Sequence, residues 1–111
     1  MQEKKTNAFK MCPKFEKTFN ILGKKWNGLI IEVLLNEGPQ RFKDLAQKID
    51  KCSDRVLTER LKELEEEQLV QKVAAKQGCR MCYCLTERGE DLKEIMQAIH
   101  LWAEKWYSCG E

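Results

Sequence analysis

The stretch SDRVLTERLKELEEE, at residues 53–67, carries the pattern that decides the fold. Leu57, Leu61 and Leu64 follow one another at steps of four and three residues, so a helix places them on one face. Ser53 precedes this pattern and is a favourable N-cap, because its hydroxyl can accept a hydrogen bond from the first helical turn. The stretch therefore predicts an amphipathic helix with one buried side.

A β-hairpin is predicted directly after this helix. Residues 69–73 and 81–85 are extended apolar segments, and Gln77-Gly78 between them is a typical turn pair. In the sequence before the helix at 53–67, apolar residues at helical spacing predict a short helix over 42–49, and a tight turn joins the two helices. Two short helices joined by a tight turn and followed by a hairpin form a winged helix-turn-helix.

The remaining elements fit around this unit. Helical spacing predicts helices over 13–22 and 24–36, residues 40–42 suggest a small strand, and Thr86 is a candidate cap for one long final helix. The predicted fold class is therefore α+β, mainly α, with a helical segment at each end of the winged helix-turn-helix.

Length and composition limit the class of protein. The chain has 111 residues, of which 42% are hydrophobic and 34% charged, which suits one domain and excludes collagen-like and most disordered chains. We expect a flexible polar segment at 1–10 and a single domain at 11–111. Because no secretory signal or membrane-spanning stretch is visible, a cytoplasmic protein is expected, and its six cysteines should then be reduced.

Basic charge is unevenly distributed along the chain. The net charge is only +2, but residues 1–25 contain seven lysines against two acidic residues. Residues 40–62 contain seven basic and four acidic residues, while residues 63–67 are mostly acidic. Basic charge that is concentrated in particular segments indicates a surface for a polyanion such as a nucleic acid.

Five motifs resemble, in order and spacing, those of the HxlR-type regulators, a group of MarR-like winged-helix proteins. They are CPK (12–14) with ILGKKWNGLII (21–31), RFKDL (41–45), LTERLKEL (57–64), YCLTERG (83–89) and WA (102–103). The resemblance covers about residues 11–107. It implies a bacterial, cytoplasmic transcription regulator that forms a homodimer through its first and last helices. It also implies that a cysteine in the position of Cys12 senses electrophiles, quinones or oxidants, as in the redox-sensing branch.

A regulator of this kind places the N-terminal half of the helix at 53–67 in the DNA major groove. Arg55 is the candidate for a bidentate contact with guanine. Ordinary solvated side chains are the alternative interpretation of these positions. The other candidate contacts to bases and phosphates come from this helix, from the helix before it and from the hairpin turn: Ser53, Thr58, Arg60, Lys62, Arg41, Lys43, Lys76 and Arg80.

The last helix carries more apolar side chains than one short domain can bury. Its stripe consists of Ile95, Met96, Ile99, Trp102, Ala103 and Trp106. We therefore expect a homodimer formed by the helices near 14–22 and 87–107. Two-fold symmetry would place the recognition helices about one DNA turn apart, so the expected target is an inverted-repeat operator, bound by a repressor.

Cys12 is the candidate sensing thiol. It lies between Lys10 and Lys14 at the start of a predicted helix, and both positive charge and a helix N-terminus stabilise a thiolate. A thiolate reacts with electrophiles and peroxides. In an intertwined dimer, Cys12 of one subunit would lie near Cys109 of the other, so a disulfide between them is one expected product. Direct alkylation of Cys12 is the other, and either would change the DNA affinity.

Two other functions stay open at this point. Cys79, Cys82 and Cys84, with Cys52 as the nearest further cysteine in the sequence, suggest a metal-responsive regulator, although a structural zinc ion needs four ligands. A winged helix can also bind proteins rather than DNA. His100 lies on a helical stripe and is expected to pack or to face solvent. The sequence contains no glycine-rich phosphate loop and no catalytic triad pattern, so we expect no enzyme and no cofactor.

Overall fold

A computed structural model of the chain describes residues 9–74 and 81–108. Its elements are, in chain order, α1 (Pro13–Leu22), α2 (Asn27–Glu37), α3 (Phe42–Lys48), α4 (Asp54–Glu66), β1 (Val70–Ala74), β2 (Met81–Leu85), α5 (Glu87–Glu90) and α6 (Lys93–Trp106). The described part is mainly helical with a two-stranded sheet, which confirms the predicted winged helix-turn-helix. None of its helices has the length and apolar character needed to cross a membrane.

Several predicted features lie outside the described residues. They are the N-terminal part of the segment 1–10, the hairpin turn with Lys76, Gln77-Gly78, Cys79 and Arg80, and Cys109 near the end of the chain.

The leucine face of α4 is the centre of the core. Leu57, Leu61 and Leu64 are at most 1% exposed. They belong to a cluster that includes residues of α2, α3 and both strands: Ile30, Ile31, Leu34, Leu45, Val70 and Leu85. Burying one leucine side chain contributes roughly 1.5–3 kcal/mol, so these three leucines fix the rotation of α4 about its axis.

Local hydrogen bonds begin the two helices of the helix-turn-helix where the sequence predicts. The Ser53 hydroxyl accepts from the Val56 amide at 3.2 Å, which confirms Ser53 as the N-cap of α4. At the start of α3, an Asp44 carboxylate oxygen accepts from the Arg41 amide at 3.0 Å. These contacts satisfy donors that a helix start leaves without an intrahelical partner.

The hairpin is attached to the helical body by its buried residues Val70 and Leu85 and by a backbone bridge. β1 and β2 pair antiparallel, with Val70 opposite Leu85 and Ala74 opposite Met81. Gln40 and Tyr83 exchange two backbone hydrogen bonds of 3.0 and 2.7 Å. The small strand predicted over 40–42 is therefore limited to one bridging residue, because α3 already begins at Phe42.

The start of α2 differs from the prediction. A helix over 24–36 was expected, but α2 begins at Asn27, and Trp26 has a φ of 80°. This left-handed conformation cannot continue a right-handed helix. The Asn27 amide donates to the Lys24 carbonyl at 3.1 Å, so residues 24–26 form a turn between α1 and α2.

The final helix is divided in two. The Thr86 hydroxyl accepts from the Gly89 amide at 3.1 Å, which confirms the predicted cap. The Leu92 amide then donates to the Gly89 carbonyl three residues earlier at 3.0 Å, a tighter step than the four-residue bond of an α-helix. The expected single helix over 87–107 is therefore α5 followed by α6.

The two terminal helices pack only against the edge of the core, through the partly buried Ile21, Leu22 and Met96. Neither α1 nor α6 contains a buried residue. The Cα radius of gyration is 17.0 Å, whereas a compact chain of this length has about 13 Å. The helices at the two ends of the chain therefore extend from the winged body and leave their apolar sides exposed.

Gly89 provides a test of the packing between α5 and the body. A Cβ atom at this position would lie 2.3 Å from the Leu69 carbonyl oxygen and 2.9 Å from Leu85 Cδ2, so backbone would have to move. We expect Gly89→Ala to lower the free energy of unfolding by about 1–3 kcal/mol or more, measured by urea denaturation at fixed protein concentration.

Gly28→Ala is the matched control for this change. A Cβ atom at Gly28 meets nothing closer than the Leu22 carbonyl oxygen at 3.9 Å, and alanine favours helix. Its unfolding free energy should be unchanged or raised. Equal stability of the two variants would contradict the close packing at Gly89.

Candidate nucleic-acid interface and thiol site

The side of α4 opposite its leucines faces solvent. Arg55, Thr58 and Lys62 are exposed there, in the N-terminal two-thirds of the helix. Arg55 is 86% exposed and its Nε lies 3.9 Å from a carboxylate oxygen of Glu59, a weak surface pair. The packing of α4 thus brings together three of the side chains predicted to contact DNA.

The two hydroxyl groups that are predicted to contact DNA already form hydrogen bonds within α4. Ser53 caps α4, and the Thr58 hydroxyl donates to the Asp54 carbonyl at 2.8 Å. Both side chains remain exposed, and each hydroxyl oxygen has further hydrogen-bonding capacity. They are therefore held in defined positions at the start of α4.

The helix before α4 contributes the next basic side chains. Lys43 is exposed on α3, and Arg41 is half-buried at its N-cap. The Arg41 Nε lies 3.8 Å from the Asp44 carboxylate, which orients the guanidinium and partly neutralises it. The two residues flank the start of α3.

Arg60 is placed differently from the other predicted contacts. Its side chain is only 17% exposed, and its Nε donates to the Lys25 carbonyl at 3.1 Å. The guanidinium also lies 3.6 Å from the Glu63 carboxylate. Arg60 therefore faces the turn between α1 and α2 and contacts protein rather than projecting beside Arg55.

Charge divides α4 into two halves. Its C-terminal part and the residue after it carry four acidic side chains: Glu63, Glu65, Glu66 and Glu67. Phosphate groups are repelled by such a cluster. The C-terminal end of α4 is therefore unsuited to a DNA backbone, whereas residues 54–62 carry three basic side chains against Asp54 and Glu59.

Among the cysteines of the described residues, Cys12 is the exposed one, and it lies at the start of a helix. It is the N-cap of α1, Pro13 follows as the first helical residue, and the Cys12 side chain makes no capping hydrogen bond. The Cys12 carbonyl accepts from the Glu16 amide at 3.0 Å. The Cys12 side chain is thus exposed at the start of α1, which is where the sequence predicts a helix to begin.

Cys52 has the opposite environment. It is 5% exposed and belongs to the core, and its Sγ lies 3.6 Å from the Ser53 carbonyl oxygen. Burial raises the pKa of the Cys52 thiol above its ordinary value, although the nearby Arg60 acts in the opposite direction. Cys52 is therefore a neutral packing residue near pH 7.

The predicted metal site is not assembled by the described residues. Cys82 and Cys84 are half-buried on β2, and no three or more His, Cys, Asp or Glu side chains within 9–74 and 81–108 are grouped to hold a metal ion. His100 lies with its Nε2 2.6 Å from a Glu32 carboxylate oxygen, which links α6 to α2. This contact agrees with a packing role.

An apolar groove of about 540 Å³ lies between α1, α2 and α6. It continues the exposed stripes of both terminal helices, which include Phe15, Phe19, Ile95, Ile99, Trp102 and Trp106. The sequence predicted the stripe of α6. It did not predict that Trp26 would line this groove, because Trp26 was assigned to a helix whose predicted start is three residues too early.

Comparisons with known proteins agree with this geometry. The family model of the HxlR-like helix-turn-helix matches residues 21–111 of this chain. The HTH-type transcriptional regulator YodB of Bacillus subtilis (strain 168) is 43% identical over 102 residues, which cover 91% of this chain and 90% of YodB.

Two solved structures of YodB from B. subtilis are similar to the fold. The reduced form has a TM-score of 0.77 at 42% identity and covers 92% of this chain and 100% of that one. The quinone-bound crystal structure has a TM-score of 0.75 at 44% identity and covers 86% and 100%.

The order of elements, the exposed face of α4 and these similarities define a winged helix-turn-helix transcriptional regulator. The chain belongs to the HxlR family, which confirms the resemblance of its five motifs.

The two cysteine environments predict an order of alkylation. With a limiting amount of N-ethylmaleimide near pH 7, we expect Cys12 to be labelled early and Cys52 to stay unlabelled, because only an accessible thiolate reacts. Peptide mapping by mass spectrometry measures both. Denatured protein is the control and should be labelled at both positions; early labelling of Cys52 in the native protein would contradict its burial.

Proposed function

We propose that this chain is a homodimeric repressor that binds an inverted-repeat operator and loses DNA affinity when an electrophile or oxidant modifies Cys12. The observation that carries the proposal is the pair of exposed basic side chains, Arg55 and Lys62, on the side of α4 that lies opposite its buried leucines. The genes released would be those that remove the same reactive compounds.

The DNA contacts follow from the placement of α4. An α-helix fits the major groove, and the N-terminal part of a recognition helix contacts base edges. Arg55 is the base-contacting arginine, and Thr58 and Lys62 lie beside it on the same face. Ser53, Arg41 and Lys43 contact phosphates at the start of the two helices. Lys76 and Arg80, which lie outside the described residues, are the candidates for contacts near the minor groove. Arg60 is omitted because its guanidinium is engaged within the protein.

The exposed apolar faces support a dimer. Phe15 and Phe19 of α1 stack with their ring centroids 5.5 Å apart, and both are more than half exposed. On α6, Ile99, Trp102 and Trp106 are also more than half exposed. A contiguous apolar surface of this kind is typical of an interface, and a second copy offers the same surface.

The chemistry at Cys12 has two forms. A quinone carbon adds to the thiolate, so that an S–C bond forms and the ring oxygen takes up a proton after the electron pair shifts to it. Alternatively, a peroxide accepts two electrons from two thiols, and Cys12 and Cys109 of the partner form a disulfide with release of two waters. The quinone-bound structure of the similar YodB supports the first form for this chain.

Binding to the DNA upstream of its own gene tests the function. The reduced protein should bind, a benzoquinone should raise the Kd by about tenfold or more, and Cys12→Ser should bind equally well with or without the quinone. Fluorescence anisotropy measures all three. If the Kd of the wild-type protein is the same with and without the quinone, the thiol switch is contradicted. If the reduced protein binds none of the fragments that cover the DNA upstream of its own gene, the repressor is contradicted.

Alanine substitutions of Lys62 and Arg55 test the proposed DNA interface. Lys62→Ala should weaken binding to all DNA sequences and reduce the slope of log K against log salt by about one, because one phosphate contact is lost. Arg55→Ala should relax the preference for one base pair, at a cost of about 1–3 kcal/mol in discrimination.

Lys93→Ala is the control, since it removes the same charge from an exposed position on α6. It should leave affinity and salt slope close to those of the wild type. An effect of Lys93→Ala equal to that of Lys62→Ala would indicate only general electrostatic attraction.

The dimer is tested on α6. Trp102→Glu places a charge on the exposed apolar stripe and should convert the dimer into a monomer, which analytical ultracentrifugation measures. Gln97→Glu introduces the same charge at an exposed polar position of α6 and should remain dimeric. A wild-type chain that sediments as a monomer would contradict the proposed interface.

A further inference from the structure

We propose that Arg60, Lys24 and Glu63 form a polar strap that makes the position of α4 depend on α1, with Arg60 as a positioning residue rather than a DNA contact. The inference rests on the proposed function, because it assigns the route by which modification of Cys12 reaches the DNA-contacting face. The strap joins α4 to the turn at residues 24–26.

Arg60 supplies the central contact of the strap. Its Nε donates to the Lys25 carbonyl across 35 residues of sequence at 3.1 Å. The Glu63 carboxylate lies 3.6 Å from Nη1 and the Glu59 carboxylate 3.9 Å from it, so the guanidinium is oriented from its own helix. A planar guanidinium holds several partners in fixed directions. The middle of α4 is therefore bound to the backbone of the turn.

A second contact lies beside the first. The Lys24 ammonium donates to the Glu63 carboxylate at 2.9 Å. Both side chains are partly exposed, so this pair adds little stability by itself. It shares Glu63 with Arg60, however, and so the turn and α4 are joined through one carboxylate.

The turn is firmly joined to the end of α1. A Cβ atom on Gly23 would lie 2.8 Å from the Phe19 carbonyl oxygen, so the chain passes close to the last turn of α1. The Asn27 side chain is buried, and its Nδ2 donates to the Ile21 carbonyl at 2.9 Å. Trp26 holds a left-handed φ of 80°. These constraints leave the turn little freedom to move independently of α1.

The sensing thiol and the strap lie at opposite ends of the same helix. Cys12 is the N-cap of α1, and Leu22 ends it directly before the turn. A modification that repositions α1 therefore moves the Lys25 carbonyl and Lys24, which are the partners of Arg60 and Glu63. Arg55 and Lys62 are on that same α4, so their positions over the DNA change with it. The coupling runs through contacts that exist in the structure rather than through distance alone.

A DNA contact by Arg60, as the sequence predicted, would have a different signature. Loss of a direct contact changes the affinity of reduced and modified protein by the same factor. Loss of a coupling contact changes the ratio of the two affinities, which is the quantity that defines coupling between sites.

The ratio of Kd after benzoquinone treatment to Kd before it tests the strap. Wild type should give a ratio of about ten or more. Arg60→Lys, which keeps the charge but loses the planar fork, and the double variant Lys24→Met with Glu63→Gln should give a ratio below about three. Lys93→Met is the control: it removes one positive charge from an exposed position on α6 and should keep the wild-type ratio. Mass spectrometry checks that each variant is modified at Cys12 to the same extent.

The outcomes separate the two proposals. A wild-type ratio of one contradicts the thiol switch and, with it, any transmission through the strap. A wild-type ratio of about ten that both strap variants retain contradicts the strap alone. The double variant changes only partly exposed side chains, so we expect it to stay folded. It therefore tests the strap even if Arg60→Lys does not fold.

Discussion

Burial of one face of α4 is the constraint on which the rest of the structure depends. Leu57, Leu61 and Leu64 enter the core made by α2, α3 and the hairpin, and a slip of one residue would expose them. Because α4 cannot rotate about its axis relative to this core, the side chains on its other face keep fixed directions relative to the winged body. The core thus determines which side chains of α4 face solvent, and the apolar sides of the terminal helices remain exposed.

The sequence predicted the elements whose signals are local. Leucine spacing located α4, Ser53 and Thr86 were identified as caps, and β2 has the predicted bounds. The start of α2 was wrong because the left-handed Trp26 depends on a turn fixed by Asn27 and the end of α1. Local spacing cannot reveal such a contact.

The same limit applies to the candidate site. Exposed positions of α4 followed from helical spacing, but Arg60 lies at the edge between the buried and exposed faces. Its direction was decided by the Lys25 carbonyl, which is distant in sequence. Likewise, α5 and α6 are separated at a three-residue hydrogen bond from the Leu92 amide to the Gly89 carbonyl, which apolar periodicity does not encode.

The exposed face of α4 has a consequence for how such regulators diverge. Arg55, Thr58 and Lys62 contribute little to the core, so exchanging them leaves the folding free energy nearly unchanged. Under the proposed function, one copy can acquire a new operator after gene duplication through these positions alone. The proposed sensor and partner surface would be inherited intact, so that a cell could connect one reactive signal to several sets of genes.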